Sequence, residues 1–212
     1  MKRMLYFLCV AALTSVFVSC SKDDEEDPQP GETHESYINA NVSTTWNYYS
    51  FAEDKVVGTA DESAESNAVW AARKDWDIAV QRYHIRTNSG EFTTVGARGG
   101  VFTCDSAATF SSILKVPSDA QFVEDKVTSY PSMGGSTVTR IQSKAIVVGM
   151  KEEWNEEKKQ WVTMMPPIYL QRPVYIFRTA DGNNYYKVLF TQYVNEDAAA
   201  GHVKFNLSKI SL

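Results

Sequence analysis

Val174-Tyr175-Ile176-Phe177-Arg178-Thr179-Ala180-Asp181-Gly182, followed by Tyr185 to Tyr193, decides the fold class. Runs of β-branched and aromatic residues flank an Asp-Gly pair, the pattern of two antiparallel strands joined by a turn. Outward from this hairpin the same grammar repeats. Ile141–Trp154 and Gln160–Met164 read as a second hairpin through Asn155–Lys159, which brings Trp154 and Trp161 to similar heights. His202 to Leu207 closes the chain as a strand with Val203, Phe205 and Leu207 on one face. Upstream, Ile38 to Val42, Thr45 to Phe51 and Lys55-Val56-Val57 are short β-rich runs, and Gly90, Gly96, Gly99 and Gly100 punctuate a later stretch.

Asp75 to Thr87 alternates, with Trp76, Ile78 and Val80 on one parity and Asp77, Ala79 and Gln81 on the other. Helical pattern is confined to Ser63–Ala72 and Glu196–Ala200, one or two turns each. The expectation is an all-β domain of antiparallel strands with one or two short helices.

The chain ahead of this body reads as an address. Lys2 and Arg3 precede a short apolar stretch, Met4 to Val18, and Phe17-Val18-Ser19-Cys20 looks like a bacterial lipobox. Residues 1–19 are therefore expected to be a lipoprotein signal peptide, with Cys20 the lipidated first residue of the mature chain. Residues 20–35 hold the acidic run Ser21 to Asp27, then Pro28, Pro30 and Gly31, a composition that stays solvated as a tether. The acidic patch resembles a surface-export signal of bacterial lipoproteins. Residues 36–212 are left for the folded domain, and the expected location is the outer membrane, lipid-anchored and surface-exposed or shed from it.

Charge narrows the partners. Across 212 residues, 21 Lys and Arg face 26 Asp and Glu, and removal of the signal takes away two cations. Nucleic acid and anionic lipid both select basic surfaces, so neither is an expected partner, and the membrane is met through the lipid anchor alone. Aromatic residues reach 12%, a supply that suits a flat ligand as well as a core. Once Cys9 leaves with the signal and Cys20 carries lipid, Cys104 stands alone, and no disulfide or Cys-x-x-Cys metal site is possible.

No catalytic constellation is evident. His34, His84 and His202 show no paired spacing for zinc, and no nucleophile elbow, Walker loop or dinucleotide fingerprint occurs. Asp75 and Asp77 flank Trp76 and, as alternate strand residues, would share a face. Such a pair is more commonly a surface feature than a catalytic one. Asp181-Gly182-Asn183-Asn184 is explained by a turn without calcium, and the chain is not expected to be an enzyme.

Several stretches taken together resemble the HmuY family of haem-binding lipoproteins. They are Trp46 to Phe51, Lys55-Val56-Val57, Asp75 to Tyr83 with Ile85-Arg86-Thr87-Asn88-Ser89-Gly90, Gly99 to Phe102, Val174 to Gly182, and Lys187 to Tyr193. The resemblance implies an all-β surface protein that takes haem from host haem-carrying proteins. It implies delivery of that haem to a TonB-dependent outer-membrane receptor. In the family's type member two histidines ligate the iron, whereas here Asp105 to Gly201 contains no histidine. Met133 stands at the first ligand place and Met164-Met165 at the second, so the chain is similar to a methionine-ligand branch.

Thioether chemistry supports that assignment on separate grounds. A thioether is a neutral, soft ligand to haem iron and favours the reduced state more than imidazole does. Met133 lies in a glycine-flanked loop, Ser129 to Gly135, where a buried hydrophobe is not expected. Met165 precedes Pro166-Pro167, which stiffen the backbone. Met165 is preferred over Met164, which shares strand parity with Val162, while Met150 reads as core and His84 as a rival ligand at the rim. The competing expectations are a surface lipoprotein that binds glycans or a host protein through exposed aromatics, and a hydrolase built on Asp75 and Asp77.

Overall fold

A computed structural model describes residues 31–131, 135–149, 152–163, 169–170 and 173–212. Two antiparallel sheets form its body. The larger has the order β1 (His34–Asn39), β15 (Ala200–Ile210), β14 (Tyr185–Val194), β13 (Tyr175–Arg178), β6 (Gly100–Thr103). The smaller has the order β3 (Lys55–Asp61), β2 (Thr45–Ser50), β4 (Ile78–Gln81), β5 (His84–Thr87). The all-β expectation is borne out, and β1 begins at His34, just inside the segment read as tether.

The hairpin around Asp181-Gly182 forms as read, with Phe177 opposite Tyr186 and Arg178 opposite Tyr185. Its connection runs over Thr179–Asn184: the Thr179 amide donates to Asn184 O at 3.0 Å, and Asp181 accepts the Asn183 amide at 2.9 Å. Gly182 sits at φ +77°, a conformation that a side chain would strain.

Between the sheets lies a core of Ile38, Tyr49, Phe51, Ile78, Val80, Ile85, Phe177, Val188, Phe190, Val203, Phe205 and Leu207. Val203, Phe205 and Leu207 are fully buried on one face of β15, as the alternation predicts. Behind the smaller sheet, Trp46, Tyr48, Trp70, Trp76 and Phe92 form a second cluster under the helix α1 (Ala64–Ala71). Tyr48 stacks on Trp70 at 3.8 Å, and that approach needs Gly58, where a Cβ would fall 2.6 Å from the Trp70 ring. Ser63 caps the helix by accepting the Ser66 amide at 3.1 Å. Ile113, Val116, Val174, Ile176 and Ile210 make a third cluster on the outer face of the larger sheet.

Three readings change. Ile141–Trp154 is not one strand: Thr137–Gln142, Val148–Gly149 and Glu152–Asn155 are separate strands with different partners, and in the first break Ser143 Oγ accepts the Ala145 amide at 3.2 Å. Asp75–Thr87 is not one strand but the β4–β5 hairpin, turned at Arg82, which lies at φ +55°. Both faces of β4 are buried because Ile78 and Val80 meet the main core while Ala79 meets the tryptophan cluster. Glu196–Ala200 forms a turn rather than a helix, closed by the Ala199 amide donating to Asn195 Oδ1 at 2.8 Å. The short Asn195 acceptor supplies a local alternative to helical bonding.

Three two-stranded ribbons follow, the last of which packs Val148 and Leu170 on the main core. They are β7 (Lys126–Pro131) with β8 (Thr137–Gln142), β10 (Glu152–Asn155) with β11 (Gln160–Thr163), and β9 (Val148–Gly149) with β12 (Tyr169–Leu170).

Candidate functional site

The ribbons carry the chain into the candidate ligand segments. β7 and β8 pair from Lys126 opposite Gln142 to Pro131 opposite Thr137, and they bracket the loop that contains Met133. β10 and β11 set Trp154 directly opposite Trp161, and β11 ends at Thr163, next to Met164. Met133, Met164 and Met165 lie outside the described residues, as do Met150 and Cys20. What the structure describes is the scaffold on either side of them.

That scaffold has an unusual polar root. Arg86 is buried in β5 with its guanidinium between the rings of Trp46 and Phe92, 4.1 Å from each centroid. It donates from Nε to Ile141 O of β8 at 3.1 Å and from a terminal nitrogen to Asn67 Oδ1 at 3.0 Å. Glu62 lies 3.5 Å from Arg86 and 3.3 Å from Arg140 of β8, so one carboxylate serves two guanidinium groups. Arg140 also donates to Gln81 Oε1 at 2.9 Å.

On the other face of β5, the Thr87 amide donates to Asp125 at 2.8 Å and the Thr87 hydroxyl donates to the same carboxylate. Burial pushes the fully buried Asp125 carboxyl up to about 7, against the lowering effect of the Thr87 bonds and the Arg86 charge.

Two clefts flank the β7–β8 ribbon, and Val127 lines both. One, of about 440 Å³, is bounded by His84, Glu124, Lys126, Gln142, Lys144 and Ile146. The other, of about 540 Å³, is bounded by Glu62, Asn67, Arg86, Phe92, Arg140 and Ile141. His84 is half-buried and packs against Tyr83 at 4.3 Å between centroids. Burial, aided by the Arg140 charge, lowers its imidazole to about 4, so the ring is neutral and keeps a lone pair near neutral pH. Lys126 and Lys144 are exposed at the same cleft. Trp154 and Trp161 are 44% and 64% exposed, edge to face at 5.8 Å, a large aromatic surface left to solvent.

The carboxylate pair does not form. Asp75 is exposed and holds Arg73 at 2.5 Å, which lowers its carboxyl below the usual range. Asp77 is buried and accepts the amides of Phe51 and Ala180, both at 2.9 Å, which ties the smaller sheet to the β13–β14 turn. Burial raises its carboxyl. The break at residues 76–77 before β4 gives each carboxylate a separate task.

The histidines are likewise apart: His34 lies 3.1 Å from Asp54, and His202 lies 2.6 Å from Tyr37 Oη. Among the described residues no three His, Cys, Asp or Glu side chains form a metal cluster. Cys104 is buried, and burial pushes its thiol up to about 11, an unreactive state.

Sequence reading passed over Glu62, Arg86 and Asp125. No local pattern marks them: Arg86 stands in His84-Ile85-Arg86-Thr87, a polar run with one apolar residue, where an arginine is ordinary.

The geometry defines a two-sheet antiparallel β protein with projecting ribbons around ligand-sized clefts. Residues 42–207 match the family described as HmuY protein, and the chain belongs to that family. Solved structures share the fold at low identity. The apo HmuY analogue of Tannerella forsythia aligns with a TM-score of 0.52 and 18% identity, covering 87% of this chain and 99% of that one. Apo PinO from Porphyromonas gingivitis gives 0.57 and 15%, covering 84% and 97%. A Bacteroides vulgatus protein described as HmuY-like and heme-binding gives 0.54 and 21%, covering 82% and 90%. No curated protein matched the sequence.

Proposed function

We propose that this protein binds haem at the cell surface and passes it to a TonB-dependent outer-membrane receptor, without catalytic turnover. Its source of haem is host haem-carrying proteins, and Cys20 anchors it to the outer membrane through lipid. The observation that carries the reading is family membership across residues 42–207. The Bacteroides vulgatus relative described as heme-binding supports the ligand class.

Met133 and Met165 would hold the iron from its two sides, with Met164 as the alternative second ligand. Bound haem supplies an iron centre whose reduced state thioether ligands favour. The chain's own chemistry suits a flat, apolar ligand with two carboxylates. Exposed Trp154 and Trp161 offer ring faces for stacking, and Lys126 and Lys144 offer cations for carboxylate pairing. His84, neutral near pH 7 and hydrogen-bonded with Gln142, is the rival ligand should one thioether be removed.

The test is absorption spectroscopy of the protein with haem, before and after dithionite, for wild type and for Met133→Ala, Met164→Ala and Met165→Ala. Sharp low-spin ferrous bands lost in Met133→Ala and Met165→Ala are expected, with tighter binding of the reduced form. Equal affinity for ferric and ferrous haem argues against thioether ligation. No Soret shift in either redox state overturns the haem reading.

One observation favours a second reading. The Trp154–Trp161 pair is also a surface for sugar rings or a host protein. Glycan binding lost in Trp161→Ala and kept in the methionine variants would select it.

A further inference from the structure

The segment Arg86–Glu91 does more than end a strand. Its residues engage both legs of the β7–β8 ribbon at the point where the ribbon leaves the body. Arg86 and Thr87 are adjacent, so their side chains point to opposite faces of β5. Arg86 donates to Ile141 O of β8 at 3.1 Å, and Glu62 bridges Arg86 to Arg140.

Thr87 holds the Asp125 carboxylate through its amide and hydroxyl, directly before β7 begins. The Asp125 amide donates to Ser89 Oγ at 3.0 Å, and the Glu91 amide donates to Asp125 O at 3.1 Å. The Val127 amide then donates to Glu91 Oε2 at 2.9 Å. Gly90 makes this closeness possible: it sits at φ +54°, and a Cβ there would fall 2.2 Å from Asp125 O. Farther out, Thr128 bonds Arg140 O and Ser129 bonds Thr139, bonds internal to the ribbon.

We infer that Arg86–Glu91, with Glu62, is a positioning socket that fixes the direction of the β7–β8 ribbon at its root, and with it the strand ends Pro131 and Thr137 between which Met133 falls in the sequence. The functional half of this inference rests on the haem reading; the socket itself does not. A two-stranded ribbon is marginal in water on its own, so its direction is set by whatever grips its base. Here the Arg86 guanidinium is sealed between aromatic rings and Asp125 is fully buried, so a lost partner of either leaves a buried group unpaired. Arg86, Thr87, Asp125 and Glu62 are positioning residues, since they act on the ligand through the ribbon.

Glu62→Gln and Thr87→Val remove one grip on each leg, and Glu53→Gln, which breaks only the surface contact to Lys55 at 2.6 Å, is the control. Hydrogen exchange on the purified ligand-free protein tests the socket. Amides of 126–142 should exchange about tenfold faster in both socket variants and unchanged in the control, with the β14–β15 amides unaffected.

Release of haem to an excess of a haem-scavenging protein tests the function. Release should be about tenfold faster in the socket variants, with wild-type absorption bands kept because the iron ligands are intact. Unchanged exchange over 126–142 overturns the socket. Faster exchange with wild-type haem release overturns its role in positioning. If the wild type itself takes up no haem, the functional half fails with the haem reading, and exchange alone decides the socket.

Discussion

The two-sheet body and the three ribbons are built by different forces. In the body, β14 and β15 pair over ten and eleven residues, and their inner faces bury Val188, Phe190, Val203, Phe205 and Leu207 between the sheets. In the ribbons, strands of two to six residues pair only with each other, and Val127, Trp154 and Trp161 remain open to solvent. The body is held by apolar burial, which is non-directional and tolerant; the β7–β8 ribbon is gripped at its root by directional polar bonds from Arg86, Thr87 and Glu91.

The largest expected effect is in the body. Phe205 is fully buried against Tyr49 and Phe190, so Phe205→Ala should destabilise by about 3–5 kcal/mol in urea unfolding, a cavity cost. An effect below about 1 kcal/mol would mean that the sheets are not locked by this layer.

Gly90→Ala comes next, with an expected loss of about 1–3 kcal/mol, since it combines a left-handed backbone with contact against Asp125. Hydrogen exchange should place the damage in 126–142, and damage spread evenly over the body would erase the distinction between the two regions.

Asp125→Asn sharpens the comparison through pH. The Asp125 carboxyl is raised to about 7, so the folded state holds this proton more tightly than the unfolded chain. Its contribution is complete below about pH 4 and is lost as pH rises towards 7. The charged groups that act on it are Arg86, which favours the ionised form, and Glu124, which opposes it. The stability gap between wild type and Asp125→Asn should therefore shrink from pH 5 to pH 8 in parallel urea titrations. His84 works in the other direction: lowered to about 4, it adds stability above its unfolded value near 6.5 and loses it as pH falls to 4. A gap independent of pH would mean that Asp125 is ionised throughout.

Trp161→Ala should be the mildest, at most about 1 kcal/mol, the worth of a cross-strand aromatic pair on an exposed ribbon. A loss comparable with that of Phe205→Ala would show the ribbon to be part of the core.

The sequence determined the β class, the Asp181-Gly182 turn, the Trp154–Trp161 register, the Ser63-capped helix and the buried face of β15. Each of these is local, because side-chain alternation and turn chemistry act over a few residues. The same signals marked Asp75–Thr87 as extended but not its reversal at Arg82, since a strand buried on both faces loses the contrast that alternation needs. They also paired Asp75 with Asp77 by parity. The structure separated the two, giving one an arginine partner at the surface and the other two backbone amides inside.

Met133, Met164 and Met165 were singled out by residue type and family resemblance rather than by packing. The grip on the ribbon that carries Met133 was decided only in three dimensions. Glu62, Arg86 and Arg140 are scattered along the chain, as are Thr87 and Asp125, and their meaning arises when folding brings each group to its partner and burial strips water from Arg86 and Asp125.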